Sequence, residues 1–244
     1  MPIKVIVNGA QGKMGALACK TIAHNKQFKL VAGLTRGDDL AQAITASHAA
    51  IVIDFTNHHC VYANCLCIIQ CGAHPIIGTT GLFDKQIIAL QQLALTKALG
   101  GIIAPNFSIS ALLMMRFAAE AAKFFPEVEI IEAHHQHKTD APSGTAIKTA
   151  ELLAAARCKP KKRLVTQELL PGARGGSYHD INIHSIRLPG LLARQEIIFG
   201  NQGETLSINH NSITRSAFMP GMILACQRVT TLTTLIYGLE SLLI

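Results

Sequence analysis

In the first half of the chain, short apolar and β-branched runs alternate with longer stretches in which apolar residues recur every three or four positions. Ile3 to Val7 is the first such run. A glycine-rich turn follows it, and then Ala16 to Ala23, whose apolar positions fall on one face of a helix. Phe28 to Leu34, Ala50 to Phe55, His74 to Ile77 and Gly101 to Ala104 predict further strands, while segments near His59 to Cys71 and Asp84 to Lys97 predict helices. Strands that alternate with helices imply a parallel sheet covered on both faces. From Val128 onward the pattern changes. Val128 to Ala133, Asp180 to Leu188, Ala193 to Phe199 and Glu204 to Asn209 are strand-like, and the segment after Ser143 is the clearly helical stretch among them. This predicts a second, α+β domain on an open mixed or antiparallel sheet. From about Ala217 to Leu243 the spacing is again helical, with Phe218, Met222, Ala225, Val229 and Leu232 in phase.

Composition narrows the class. Hydrophobic residues make up 49% of the 244 positions, enough for a sizeable core. No apolar stretch reaches the roughly 18 to 20 residues of a membrane span, and the short run at the start leads straight into a glycine turn, as a first strand does. Seven cysteines, an odd number without secretory features, predict reduced thiols and a cytoplasmic location. Cys60, Cys65, Cys67 and Cys71, with His58, His59 and His74 nearby, lack a C-x-x-C pair and pattern as a helix with buried thiols, so no metal is expected. The net charge of +7 is scattered, with one basic run from Lys159 to Arg163, and aromatic residues are 5% with no Trp. That argues against nucleic acid and for an anionic small-molecule cofactor and substrate.

The turn after the first strand reads Gly9-Ala10-Gln11-Gly12-Lys13-Met14-Gly15. Its first two glycines allow a tight turn and close backbone approach, and its third lets helix and strand pack closely, with a pyrophosphate on the helix start. The context of strand, glycine turn and helix predicts a Rossmann-like dinucleotide-binding domain in an α/β chain. Sites for NAD place an acid at the end of the second strand, roughly 20 residues on. Here Thr35 stands there, followed by Arg36, a cation suited to a 2′-phosphate, with Asp38 and Asp39 beyond. NADPH is therefore expected to be preferred, with NADH also used. Gly78-Thr79-Thr80-Gly81 follows the fourth strand and Ala104-Pro105-Asn106-Phe107 the fifth, which puts both at the carboxyl edge where such sheets bind ligands.

Glu132 to Ala146, EAHHQHKTDAPSGTA, concentrates three histidines, a lysine and a helix start in fifteen residues. His134 and His135 exchange protons near neutral pH, Lys138 supplies a cation, and Ser143 caps a helix whose Gly144 and Thr145 N–H groups face outward to bind anions. The string resembles the signature of the dihydrodipicolinate reductase family, E-x-H-H-x-x-K-x-D-x-P-S-G-T-A. The glycine loop, Gly78 to Gly81, Ala104 to Ser108, Arg215 and Phe218 match as well. The resemblance implies an NAD(P)H-dependent reductase of diaminopimelate and lysine synthesis acting on a small dicarboxylate. It implies a proton from His134, charge stabilisation by Lys138, and dicarboxylate binding by His135, Lys138, Ser143, Gly144 and Thr145. Gly78, Thr79, Thr80, Ala104, Pro105, Asn106, Phe107 and Arg215 would contact the nicotinamide side of the cofactor, and Asp140 would orient Lys138.

By the same resemblance, residues 1–105 and 216–244 form a discontinuous nucleotide domain, and 106–215 a substrate-binding domain that assembles a homotetramer through its sheet. Family members often carry an acid followed by Arg where Thr35 and Arg36 stand, and longer ones have a longer segment between Asp39 and Ala49. Pro189 and Gln195 replace the usual glycine and histidine, and Met219-Pro220 replaces small residues. A different Rossmann oxidoreductase, such as an aspartate dehydrogenase, would not need the His-His-x-x-Lys and Ser-Gly-Thr pairing. A nucleotide-sensing regulator would not depend on His134 or Lys138.

Overall fold

The computed structural model describes residues 1–157 and 167–243; the basic run from Lys159 to Arg163 lies outside them. In chain order the elements are β1 (Ile3–Asn8), α1 (Lys13–Ala23), β2 (Phe28–Leu34), α2 (Leu40–Ser47), β3 (Ile51–Asp54), α3 (Val61–Gln70), β4 (His74–Ile77), α4 (Asp84–Thr96) and β5 (Gly101–Ile103). They continue with α5 (Ile109–Ala122), β6 (Glu127–His134), α6 (Gly144–Ala156), β7 (Gly176–Tyr178), β8 (Ile181–Arg187), β9 (Ala193–Asn201), β10 (Glu204–Ser212), α7 (Met219–Arg228) and β11 (Leu235–Tyr237). The chain divides into two compact units. One runs over Met1–Ile109 and resumes at Phe218; the other is Ser110–Ala217.

The first unit holds a six-stranded sheet, ordered β11-β5-β4-β3-β1-β2, in which every pairing is parallel. Its strands are almost wholly apolar because helices cover both faces. Ile6, Val52, Ile68, Ile77 and Leu90 belong to one fully buried cluster. Strand order reverses at β1, since β2 lies on one side of it and β3 on the other, and such a reversal opens a ligand crevice at the carboxyl ends.

The carboxyl-terminal segment departs from its helical pattern. The helix stops at Arg228, a 3-10 turn covers Val229–Thr231, and Leu235–Tyr237 becomes β11 on the free edge of β5. Burial of Val229 and Leu235 satisfies the same apolar positions that mimic helix spacing. Two helices were not predicted. In α5 apolar residues fall on nearly every side, so no stripe marks it; α2 occupies the shortened segment after Asp39, which caps it by accepting from the Gln42 N–H at 2.9 Å.

The second unit carries a five-stranded mixed sheet, β10-β9-β6-β8-β7, in which β6 and β8 run parallel and the other neighbours antiparallel. Asp180, expected within a strand, instead forms with His179 the two-residue turn of the β7–β8 hairpin, both at positive φ. Helix α6 covers the face that buries Val128 and Ile130 of β6 and Gln195, Ile197 and Phe199 of β9.

Candidate active site

In the first unit, every cofactor-loop residue expected from the sequence, Arg215 apart, lies at a carboxyl end of the parallel sheet. Gly9 follows β1 at φ 86°, a left-handed conformation natural to glycine, and a Cβ there would meet the Phe55 carbonyl oxygen at 2.5 Å. A Cβ on Gly15 would meet the Gly9 carbonyl at 2.0 Å. The Gly9 and Ala10 N–H groups both donate to the Leu34 carbonyl at 2.9 Å, which fastens the loop to the end of β2. Gly12 starts α1 with no side-chain cap, and the first turn, which includes Lys13, Met14 and Gly15, has no acid. A helix start so stripped of side chains suits a phosphate.

Two buried groups hold the neighbouring loops. Asp54, fully buried at the end of β3, accepts from Asn8 Nδ2 at 3.0 Å, Asn64 Nδ2 at 2.8 Å, the Thr56 hydroxyl at 2.7 Å and the Thr79 hydroxyl at 2.7 Å. It thereby bridges the strands on both sides of the crevice and anchors the Gly78-Thr79-Thr80 loop. The rings of Phe55 and Phe107 meet edge to face at 5.7 Å, and a Cβ on Gly78 would meet both rings at under 3 Å. Asn106 closes its own loop by accepting from the Ser108 N–H at 2.8 Å. Asp54 and Phe55 were missed in the sequence because a lone Asp-Phe after an apolar run has no distinctive spacing.

At the end of β2, the Asp38 carboxylate turns back on Thr35, accepting from its N–H at 2.7 Å and its hydroxyl at 3.0 Å. These bonds, the backbone one first, lower the Asp38 pKa. Arg36 is exposed at the tip of the same turn.

In the second unit, strand alternation puts Glu132 and His134 on one face of β6, and register sets Ser185 of β8 beside Glu132 and Arg187 beside His134. Glu132 is fully buried. It meets His134 Nδ1 at 2.5 Å, accepts from Arg187 at 3.0 and 2.8 Å through the two guanidinium nitrogens, and accepts from the Ser143 N–H at 3.3 Å. Burial alone would raise its pKa, but hydrogen bonds from His134, Arg187 and Ser185 outweigh that and hold it at about 2. Ser143 caps α6, its hydroxyl accepting from the Ala146 N–H at 3.2 Å, while Gly144 and Thr145 form the first turn.

Lys138 Nζ donates to both oxygens of Asp140, at 2.7 and 2.8 Å, and that bond chiefly lowers the Asp140 pKa. Arg187 also donates to the Asp140 carbonyl at 2.6 Å. The His135 pKa is lowered by desolvation and then by the charges of Arg215, His137, His134 and Lys138. Arg215, expected among the cofactor residues, belongs to the second unit. Gln195 points beneath α6, donating to the Thr149 hydroxyl at 2.7 Å, and that hydroxyl donates on to the Thr145 carbonyl. The departure at Gln195 therefore reaches the helix start, on the covered side of the sheet.

Two family models match the chain: dihydrodipicolinate reductase, N-terminus, over residues 3–107, and dihydrodipicolinate reductase, C-terminus, over residues 110–243. A 4-hydroxy-tetrahydrodipicolinate reductase of Legionella pneumophila (strain Lens) is 63% identical over 243 residues, covering 100% of both chains. One of Coxiella burnetii is 50% identical over the same length and coverage. A solved dipicolinate-bound dihydrodipicolinate reductase from Paenisporosarcina sp. superposes with a TM-score of 0.91 at 41% identity, covering 99% of each chain. With the signature from Glu132 to Ala146 wrapped around one buried carboxylate, the chain belongs to the dihydrodipicolinate reductase family.

Proposed function

We propose residue roles for the activity that membership in this family assigns to the chain, NAD(P)H-dependent reduction of 4-hydroxy-tetrahydrodipicolinate in diaminopimelate and lysine synthesis. The nicotinamide supplies a hydride when bound. The uncapped start of α1 holds the pyrophosphate through the Gly9 to Gly15 backbone, and the loops at Gly78 to Thr80 and Ala104 to Phe107 bind the nicotinamide half. Arg36 binds a 2′-phosphate, so NADPH is preferred and NADH is also used.

His134 gives the proton that neutralises the developing charge, and Lys138 stabilises that charge. His135, Lys138, the Ser143 hydroxyl and the N–H groups of Gly144 and Thr145 hold the two carboxylates, and Arg215 adds a cation on the His135 side. The observation that carries this reading is the convergence of His134 and the start of α6 on Glu132, with Lys138 joined to the cluster through Asp140, whose carbonyl accepts from the Arg187 that grips Glu132. The open sheet of the second unit supports a homotetramer, and the six described cysteines, all free thiols, support a cytoplasmic setting.

The test is loss of NADPH and NADH absorbance with purified enzyme and substrate made in place by the preceding synthase. His134→Gln is expected to lower kcat by about 10²–10⁴-fold, the range of a general acid, and Lys138→Ala to lower it as well. Full turnover by both variants would refute these roles.

A further inference from the structure

We propose that Glu132 is the positioning residue of the site: it fixes the His134 ring and its tautomer, so that the proton given to substrate leaves from Nε2. This rests on the reading of His134 as proton donor. An ionised carboxylate only accepts hydrogen bonds, so at the 2.5 Å contact Nδ1 must be the protonated nitrogen. A neutral imidazole has one N–H; with it committed to Glu132, Nε2 is left as the basic nitrogen, and in the protonated ring Nε2–H is the labile bond. Among the described residues no hydrogen bond claims Nε2.

The carboxylate cannot turn away from this task. Arg187 grips both its oxygens, and the Ser143 N–H, at the start of α6, adds a bond to Oε1. The strand end that bears the histidine is thereby tied to the helix start that is read as binding substrate. Arg187 also decides what kind of help Glu132 gives. Its guanidinium already balances the carboxylate charge, so the net field on His134 is small and orientation is the larger effect.

Glu132→Gln alone leaves the half-buried Arg187 without its counter-charge and threatens folding. The experiment therefore begins with the intact wild-type enzyme. In ¹⁵N-histidine NMR, with the His134 signals assigned by their loss in His134→Gln, the neutral ring is expected to carry its proton on Nδ1. A proton on Nε2 would overturn the inference. The second arm pairs Glu132→Gln with Arg187→Gln, removing both charges together. An amide offers N–H as readily as C=O, so the tautomer is no longer imposed. The double variant is expected to fold, to lose kcat at least about tenfold with the KM for NADPH unchanged within about twofold, and to show a mixed His134 tautomer. A folded double variant with wild-type kcat would also overturn the inference. Wild-type turnover that ignores His134 would instead end the reading on which it rests, whatever the tautomer.

Discussion

Asp38 shows how a short side chain can occupy a place that the sequence assigns to another residue. It stands three positions past Thr35, yet its carboxylate sits on the Thr35 N–H and hydroxyl at the end of β2. An acid there accepts from a ribose hydroxyl and repels a 2′-phosphate, so it works against Arg36. Asp38→Asn, which keeps an acceptor for Thr35, is expected to raise the NADPH-to-NADH ratio of kcat/KM severalfold, and Arg36→Ala to lower it; steady-state kinetics with each cofactor measures both. At the other site, Glu132 is held at about 2 against an ordinary 4.5. Its ionised form stabilises the fold fully above about pH 4.5, and that stability is lost as the pH falls through about 2. Denaturant unfolding followed from pH 5 to pH 2 should therefore weaken more steeply in the wild type than in the paired Glu132→Gln and Arg187→Gln variant. The run from Glu132 to Ala146 was legible because its reactive groups are contiguous. Arg187 was not, because the residue that completes the cluster lies 55 positions from Glu132 and meets it through strand register alone.

At the scale of elements, the apolar runs of β1 to β5 and the glycine turn were legible because buried parallel strands and tight turns leave strong local signals. Short edge strands do not. Three-residue β11 lies in a segment whose apolar positions continue the spacing of α7, and only its pairing with β5 makes it a strand. Leu235 nevertheless belongs to the first unit's core at 1% exposure. Leu235→Ala is expected to cost about 2–5 kcal/mol, seen as lost hydrogen-exchange protection in β4 and β5 with β8 unchanged. Ser143 gives a smaller and sharper case. Its hydroxyl caps α6, so Ser143→Ala should destabilise the second unit by about 1 kcal/mol in thermal unfolding while leaving the cofactor ratio unaltered.

Across the whole molecule, the two units divide the labour of binding as proposed, and ligands should report that division. NADPH at about 100 times its Kd adds roughly 2.7 kcal/mol to whatever it binds. Hydrogen exchange is expected to slow at Gly9 to Gly15 and Gly78 to Thr80 with cofactor, and at His134 to Thr145 with a dicarboxylate analogue; protection of the same peptides by either ligand alone would contradict the division. The broad division was legible in the change of pattern near Val128, whereas the crossing points leave no periodic signal of their own and came from the family resemblance, since α5 begins at Ile109 and α7 follows directly on Phe218 without a break in apolar content. One consequence concerns synthesis on the ribosome. The second unit is a single continuous stretch and can finish folding as soon as it emerges, but β5 must wait with an unpaired edge until residues 235–237 have been made, more than 100 residues later. The first unit begins first and is completed last. During translation its exposed edge is the part of the nascent chain most open to wrong pairing, and a chaperone would be most useful there.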